Sequence, residues 1–485
     1  MFTKRSMLAV CLSLLMVAGL APSAGASGSM LQTDCNNPPS VMAISDVRAG
    51  MTGKAYTALS GRTISEFDVE VVGVLPGAIY PLIDMVLIKV SGPAVDAVDG
   101  IAAGFSGSPV YVDGKLLGAI AYGFWGNSYI GGVTPAESMV DIASLPATSL
   151  SRLNARAERA LSTIESSVGE LGTPRPLPVP VAVGGVSPQR IAKLQAEVDA
   201  AGLPLKVYRA AGSTQSGSGG GSPGMIMPGE SLSAVLSEGD AFAFGTGTAT
   251  YCDGATVVGW GHPFFWTGTI TMSMNEADVV TVIEDTSGFF NFKIATLGEP
   301  AGRLDFDGNA GIRGISGQAA PSVPITSSVE FAGHGATRQG TTNAFVTKDI
   351  FFSLGWTSAW HLLTNLDYVS GTGFRPGSSL VEWTVNGTRQ DGTPFTASFD
   401  NRYWDSFSIT DASVFELAGF VDQLLFNPFE RVTVNSVDVG RAELFTDRRT
   451  IDITKTQAST TSNPDPVSDF GFLRAMPGDT VTVDV

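Results

Sequence analysis

The feature that most constrains this chain is a hairpin that it spells twice. Val110 to Phe124 reads VYVDGKLLGAIAYGF, and Thr250 to Phe265 reads TYCDGATVVGWGHPFF. In each, Asp-Gly separates two β-prone runs, the residue pair that a tight two-residue turn between twisted strands demands. Each hairpin then continues into an apolar strand and a Gly-aromatic stretch. Two such units predict two similar β-barrels, the first carrying a serine and the second a histidine. Composition agrees: charged residues are only 15% and glycines number 57, so long charged helices are excluded and a β-rich chain is expected.

At 485 residues the chain is long enough for two or three domains. Lys4 and Arg5, the apolar run Met7 to Leu20 and Ala24-Gly25-Ala26 read as a secretory signal over residues 1–26. The run is short for a membrane span, and no later segment reaches 18 apolar residues, so no span is expected after signal removal. Residues 27–40 form a leader, and 41–324 the two-barrel domain. Within it, 41–145 is the serine-bearing half, 146–230 a helical and Gly/Ser-rich connection, and 231–324 the histidine-bearing half. Helices are expected over Ser149–Val168 and from Ser187 to Gly202, the second with Ser187 as N-cap and Pro188 at its first position. Residues 325–485 read as a separate β-sandwich-like domain. A formal charge of −17 excludes a nucleic-acid partner, which needs a basic footprint. Cys35 and Cys252 are either a disulfide of an oxidising compartment or two unrelated thiols.

The chemistry centres on "GFSGSP", residues 104–109. Ser106 stands between a phenylalanine and a glycine on a turn rich in small residues. A serine hydroxyl needs an adjacent base, usually histidine, and the chain has three: His262, His334 and His361. His262 ends the second apolar strand, where a base can face a cleft between barrels; the other two fall in the C-terminal domain. In serine peptidases of two β-barrels, the N–H groups of the nucleophile and of the residue two before it hold the oxyanion, here Ser106 and Gly104. Ser108, the rival nucleophile, lacks a glycine two residues earlier. No His-x-x-x-His, Cys-x-x-Cys or phosphate-binding loop is present, so neither a metal nor a cofactor is expected.

These residues resemble the SpoIVB-type serine peptidases. The family's Gly-Met-Ser-Gly-Ser-Pro block, followed by a strand, a turn and Gly-Ala, is similar to "GFSGSPVYVDGKLLGA"; "EFDVEVVGV", "VLIKVSGP", "GGVTPAESM", "VVGWGHPF" and "AGIRGISG" resemble its other segments. The resemblance runs from about Ile44 to Pro324. It implies a chymotrypsin-like double β-barrel and an exported serine endopeptidase acting on a peptide or protein substrate. Ser106 would be its nucleophile, His262 its base, and Gly118, Ala119, Ile120, Ala121 and Tyr122 a strand for substrate backbone. Two departures stand out. The family's histidine half precedes its serine half, whereas here the order is permuted. Its acid belongs to an Asp-Pro pair, where this chain has Gly92-Pro93. Asp84, Asp96, Asp99 and Asp278 are the substitutes, with Asp84 put forward. Two further readings stay open: a catalytically inactive binding module on the same fold, and a structural cell-envelope protein whose C-terminal domain carries the function.

Overall fold

The computed structural model describes residues 31, 34–79, 82–124, 126–144, 174–210, 224–286, 290–345, 352–449, 455–465, 467–468 and 472–484. The expected signal and the helix expected over Ser149–Val168 lie outside the described residues. Residues 31–485 cluster as one compact unit.

The first barrel comprises β1 (Thr52–Ser60), β2 (Thr63–Ile79), β3 (Ile83–Ser91), β4 (Ser108–Val112), β5 (Lys115–Phe124) and β6 (Asn127–Pro135). Helix α1 (Pro93–Asp96) follows β3, and α2 (Ala136–Ser144) follows β6. Antiparallel pairing runs β1–β2–β3–β6–β5–β4 and returns to β1, so the six strands close into a ring. The alternation of β2 sets its faces: Phe67, Val69 and Val71 are buried, while Glu66, Asp68 and Glu70 face out. The turn between β4 and β5 has positive φ at both Asp113 (50°) and Gly114 (73°), as the Asp-Gly pair predicts.

Three strands follow in the connection: β7 (Arg175–Pro176), β8 (Val179–Gly184) and β9 (Leu205–Arg209), with α3 (Pro188–Ala200) between β8 and β9. Ser187 caps α3 as expected, accepting the Arg190 N–H. The second barrel comprises β10 (Ser231–Gly239), β11 (Phe242–Asp253), β12 (Thr256–Gly259), β13 (Gly268–Ile283), β14 (Phe292–Gly308) and β15 (Gly311–Ser316). Its pairing runs β10–β11–β12–β15–β14–β13 and back to β10. The two rings therefore have one topology, that of a double barrel of the chymotrypsin kind. The repeated hairpins, however, fill different places. One is the fourth and fifth strands of its barrel, the other the second and third. What matches is elsewhere: Ser106 and His262 each lie in the connection between the third and fourth strands.

Beyond the barrels, the sheet continues from β10 through β17 (Ala336–Ala344), β16 (Val323–Phe331), β20 (Thr433–Phe445) and β18 (Gly377–Thr388) to β19 (Pro394–Asp405). Three more helices belong here: α4 (Leu354–Ser370), α5 (Ile409–Ala412) and α6 (Phe415–Leu425). The layer packed on this sheet is helical, where a sandwich would need a second sheet: Leu362 and Leu366 of α4 and Val421 of α6 share a core with Val381 and Val437. The reason lies in α4. It is buried almost all round, including Thr357, Ser358, Thr364 and Asn365, so its sequence shows no apolar stripe of helical period.

Candidate active site

The serine turn is shaped by its glycines. Gly104 and Gly107 have φ of 92° and 98°, which L side chains rarely adopt. A Cβ on Gly107 would also sit 1.7 Å from the Thr248 carbonyl oxygen. The Gly107 N–H donates to Ile120 O (2.8 Å) and the Ser108 N–H to Phe105 O (2.8 Å). Among the described residues, the N–H groups of Gly104 and Ser106 donate to nothing. Barrel two grips the turn from behind: Thr248 N–H donates to Ser106 O (2.7 Å), and Thr248 Oγ1 to Gly104 O (3.0 Å).

The histidine turn is held as firmly. Thr134 Oγ1 donates to Gly261 O at 2.5 Å. The Asp307 carboxylate, at the end of β14, accepts the N–H groups of Phe264, Phe265 and Trp266 at 2.7–2.8 Å. Burial pushes the Asp307 carboxyl up to about 6 against the pull of these N–H groups. His262 is thereby set with Nε2 2.7 Å from Ser106 Oγ and Nδ1 2.8 Å from Pro263 O. A carbonyl can only accept, so Nδ1 carries the proton and Nε2 is left to accept from the serine hydroxyl. Serine and histidine are 1% and 0% exposed. Burial holds the imidazole down at about 4, so it is neutral at pH 7.

Behind the serine turn lies a buried lysine. Lys293 is fully enclosed; its Nζ donates to Thr57 Oγ1 (2.7 Å) and lies 5.2 Å from the Phe105 ring centroid. Its stem packs against Gly104, where an added Cβ would come within 3.0 Å. Among the described residues no carboxylate pairs with the ammonium, and burial pushes it down to about 7. Neither Lys293 nor Asp307 is singled out by sequence reasoning. Asp307 has a faint signal, the second Asp-Gly pair of the histidine half; Lys293 has none, standing in an ordinary strand.

The other named residues fall elsewhere. Ser108 Oγ donates to Phe105 O at 2.6 Å, turned back into its own turn. Asp84 Oδ1 accepts the Gly77 N–H across the β2–β3 turn (2.8 Å), and Asp278 pairs with Arg62 (2.9 Å). Asp96 lies on α1 and Asp99 just beyond it; none of the four bonds to His262. His334 is exposed and stacks on Phe331. His361 makes a second Ser–His contact, Nε2 to Ser327 Oγ at 2.9 Å. Ser327, however, sits inside β16, paired on both sides, with no glycine turn beside it. Gly118, Ala119 and Ile120 are flanked by β4 and β6. Ala121 to Phe124 extend past the end of β4, and on that edge Tyr122 and Gly123 pair with β7. Cys35 and Cys252 form a disulfide, Cα–Cα 5.0 Å. Among the described residues, no group of three or more His, Cys, Asp or Glu could hold a metal ion.

The geometry can be set beside known proteins. Residues 21–140 match the family model of the SpoIVB peptidase S55. This stretch is a SpoIVB-type serine peptidase segment. It carries the whole serine turn and β4 to β6, and it ends before the second barrel, so His262 lies outside the SpoIVB match. Among curated proteins and among solved structures, nothing matches the chain significantly.

Proposed function

We propose that the protein is an exported serine endopeptidase, with Ser106 as nucleophile and His262 as general base. The observation that carries this reading is the 2.7 Å contact between Ser106 Oγ and His262 Nε2, with the tautomer fixed by Pro263 O. In the first step Nε2 takes the hydroxyl proton as Oγ attacks a peptide carbonyl. The carbonyl oxygen gains charge towards the unpartnered N–H groups of Gly104 and Ser106. The imidazolium then gives its proton to the leaving amine, and water releases the acyl group by the reverse sequence. One oxyanion donor is worth about 3–4 kcal/mol in such sites, so the turn matters as much as the base. Asp307 takes the acid's place as a positioning residue, since it orders the His262 turn without touching the ring. The test is labelling by a fluorophosphonate. Ser106→Ala and His262→Ala should each abolish it and Ser108→Ala should not; labelling that persists in Ser106→Ala overturns the assignment.

A specific observation favours the inactive-module reading as the alternative. Nδ1 faces a carbonyl and not a carboxylate, so the imidazolium lacks the charge that stabilises it in a full triad, where losing that function costs about 10⁴ in rate. Absent labelling together with peptide binding that survives Ser106→Ala would select it.

Export belongs to the same proposal. The signal-like start implies a mature N-terminus near Ser27, and the disulfide fits an oxidising compartment. No helix among the described residues is long and apolar enough to cross a membrane. Intact-mass measurement on secreted protein should give a chain beginning near Ser27; a retained Met1 overturns this. The peptidase domain is taken as 41–324, with 325–485 as the appended domain.

A further inference from the structure

The edge of β5 beside the serine turn is already occupied by the protein's own chain. Strand β4 pairs with β5 from Ser108↔Ile120 onward, and the chain before Ser108 turns away to form the Ser106 turn. The next stretch of that edge, Ala121 to Gly123, is taken by the connection. Gly123 pairs with Arg175 and Tyr122 with Pro176, antiparallel, and the Leu177 N–H donates to Ala121 O at 2.9 Å. Residues 175–177 therefore run in line with β4 and in the same direction. Their C-terminal end arrives at the serine turn. An extended peptide added antiparallel to β5 on this edge takes that direction, and its residue opposite Ala121 is the one whose carbonyl meets the turn. In this protein the residue is Leu177.

Two further observations fit. Leu177 is fully buried and belongs to the apolar cluster of the first barrel with Ile101, Phe105 and Ile120. Its Cδ2 lies so near Gly123 that an added Cβ there would come within 2.9 Å, so the pocket needs glycine at that place. The residue after Leu177 is Pro178, which carries no N–H and fixes its own φ. A segment with proline at that position can lie along the edge while the bond that follows differs from an ordinary secondary amide.

We propose that Arg175-Pro176-Leu177 is a built-in pseudo-substrate: it fills the acyl-side peptide site on β5, and the peptides this site takes are extended chains with an aliphatic, leucine-like residue next to the bond attacked. The inference rests on the peptidase reading for the word substrate, but the strand site itself does not.

The test separates the two. In a Ser106→Ala background, binding of a fluorescein-labelled Pro-Arg-Pro-Leu peptide is followed by anisotropy, with Leu177 native and with Leu177→Gly. Pro176→Gly, which loosens the segment without removing the buried leucine, is the second variant. Release of the segment should tighten peptide binding at least tenfold. Unchanged affinity, or no binding, in either variant that remains folded overturns the proposal. In parallel, Leu177→Gly and Pro176→Gly are made with Ser106 intact and treated with a fluorophosphonate. Tighter peptide binding without any labelling leaves the strand site standing and removes the peptidase. Labelling at one rate in all forms, with unchanged peptide affinity, removes the pseudo-substrate and leaves the peptidase.

Discussion

Lys293→Met should make the protein more stable, by an amount that shrinks as pH rises. The lysine is wholly buried with hydroxyl partners and, among the described residues, no carboxylate, and its ammonium is held at about 7 against 10.5 for the free side chain. A shift of that size corresponds to about 5 kcal/mol between the two protonation states. The sign follows from proton counting. Between pH 7 and 10.5 the unfolded chain keeps the proton and the folded chain does not, so stability rises with pH through that window. Below pH 7 both forms are charged and the folded protein carries the full penalty. Methionine fills similar space without charge, and loses the bond to Thr57, worth about 1 kcal/mol. The expected gain is then about 3–4 kcal/mol at pH 6, falling to below about 1 kcal/mol at pH 9.5. Paired urea titrations at these two values measure it, and titrations common to both proteins cancel in the difference. A variant less stable than the parent at pH 6, or a gap independent of pH, would refute the reasoning. Fluorophosphonate labelling of the same variant adds a functional readout. If Lys293 only supports Gly104 by its stem, methionine preserves the rate.

Three other outcomes follow from the same contacts. Asp307→Ala strips the N–H groups of Phe264, Phe265 and Trp266 of their buried acceptor and should cost about 3–5 kcal/mol in urea unfolding while slowing Ser106 labelling; unchanged stability and rate would count against its positioning role. The Ser106 labelling rate should stay level from neutral pH to about 5 and fall only as His262 takes a proton near 4, because its pKa is depressed from 6.5; stability linked to this group is full above 6.5 and declines as pH falls towards 4. A labelling midpoint at 6.5 would mean an exposed base. Cys35→Ser with Cys252→Ser opens a cross-link spanning 217 residues and should lower stability by up to about 5 kcal/mol on a loop-entropy basis, measured by urea midpoint; no shift would show that the leader contributes nothing through it.

The site was more legible in the sequence than the fold that surrounds it, and the difference is physical. Ser106 is announced by its own neighbours: the glycines are forced by positive φ at 104 and by the approach of Thr248 at 107, and these demands are local. His262 was reachable by elimination among three histidines. Asp307 was not, because it acts on the backbone of residues 264–266 across 41–43 residues of chain, and its Asp-Gly pair does not say which backbone it binds. The sequence of the five-stranded sheet with its helices reads as a sandwich because α4 is buried on nearly all sides. Its burial erased the period by which a helix is recognised. Likewise Arg175-Pro176-Leu177 reads as an extended, proline-bound stretch, and nothing in it reveals which edge it would join.

The repeated hairpin led to a correct architecture through an equivalence that does not hold, and the reason bears on how the pair is built. A closed ring ordered first-second-third-sixth-fifth-fourth consists of two three-stranded meanders, so several of its hairpins have similar demands. Asp-Gly forms the turn at two of these meetings, β4–β5 and β11–β12, and the sequence repeats without marking the same place. The connection from third to fourth strand is different. It passes from one meander to the other, and it is not bound to be a tight turn. There the chain is free of the strand ladder and can present a side chain and unpaired N–H groups. Both barrels use this connection, one for Ser106 and one for His262, and β11 of the second barrel holds the serine turn of the first through Thr248 and Thr250, which bond to Gly104 O, Ser106 O and Gly107 O. Chain order is irrelevant to that contact, so a serine barrel that comes first meets its histidine as well as one that comes second.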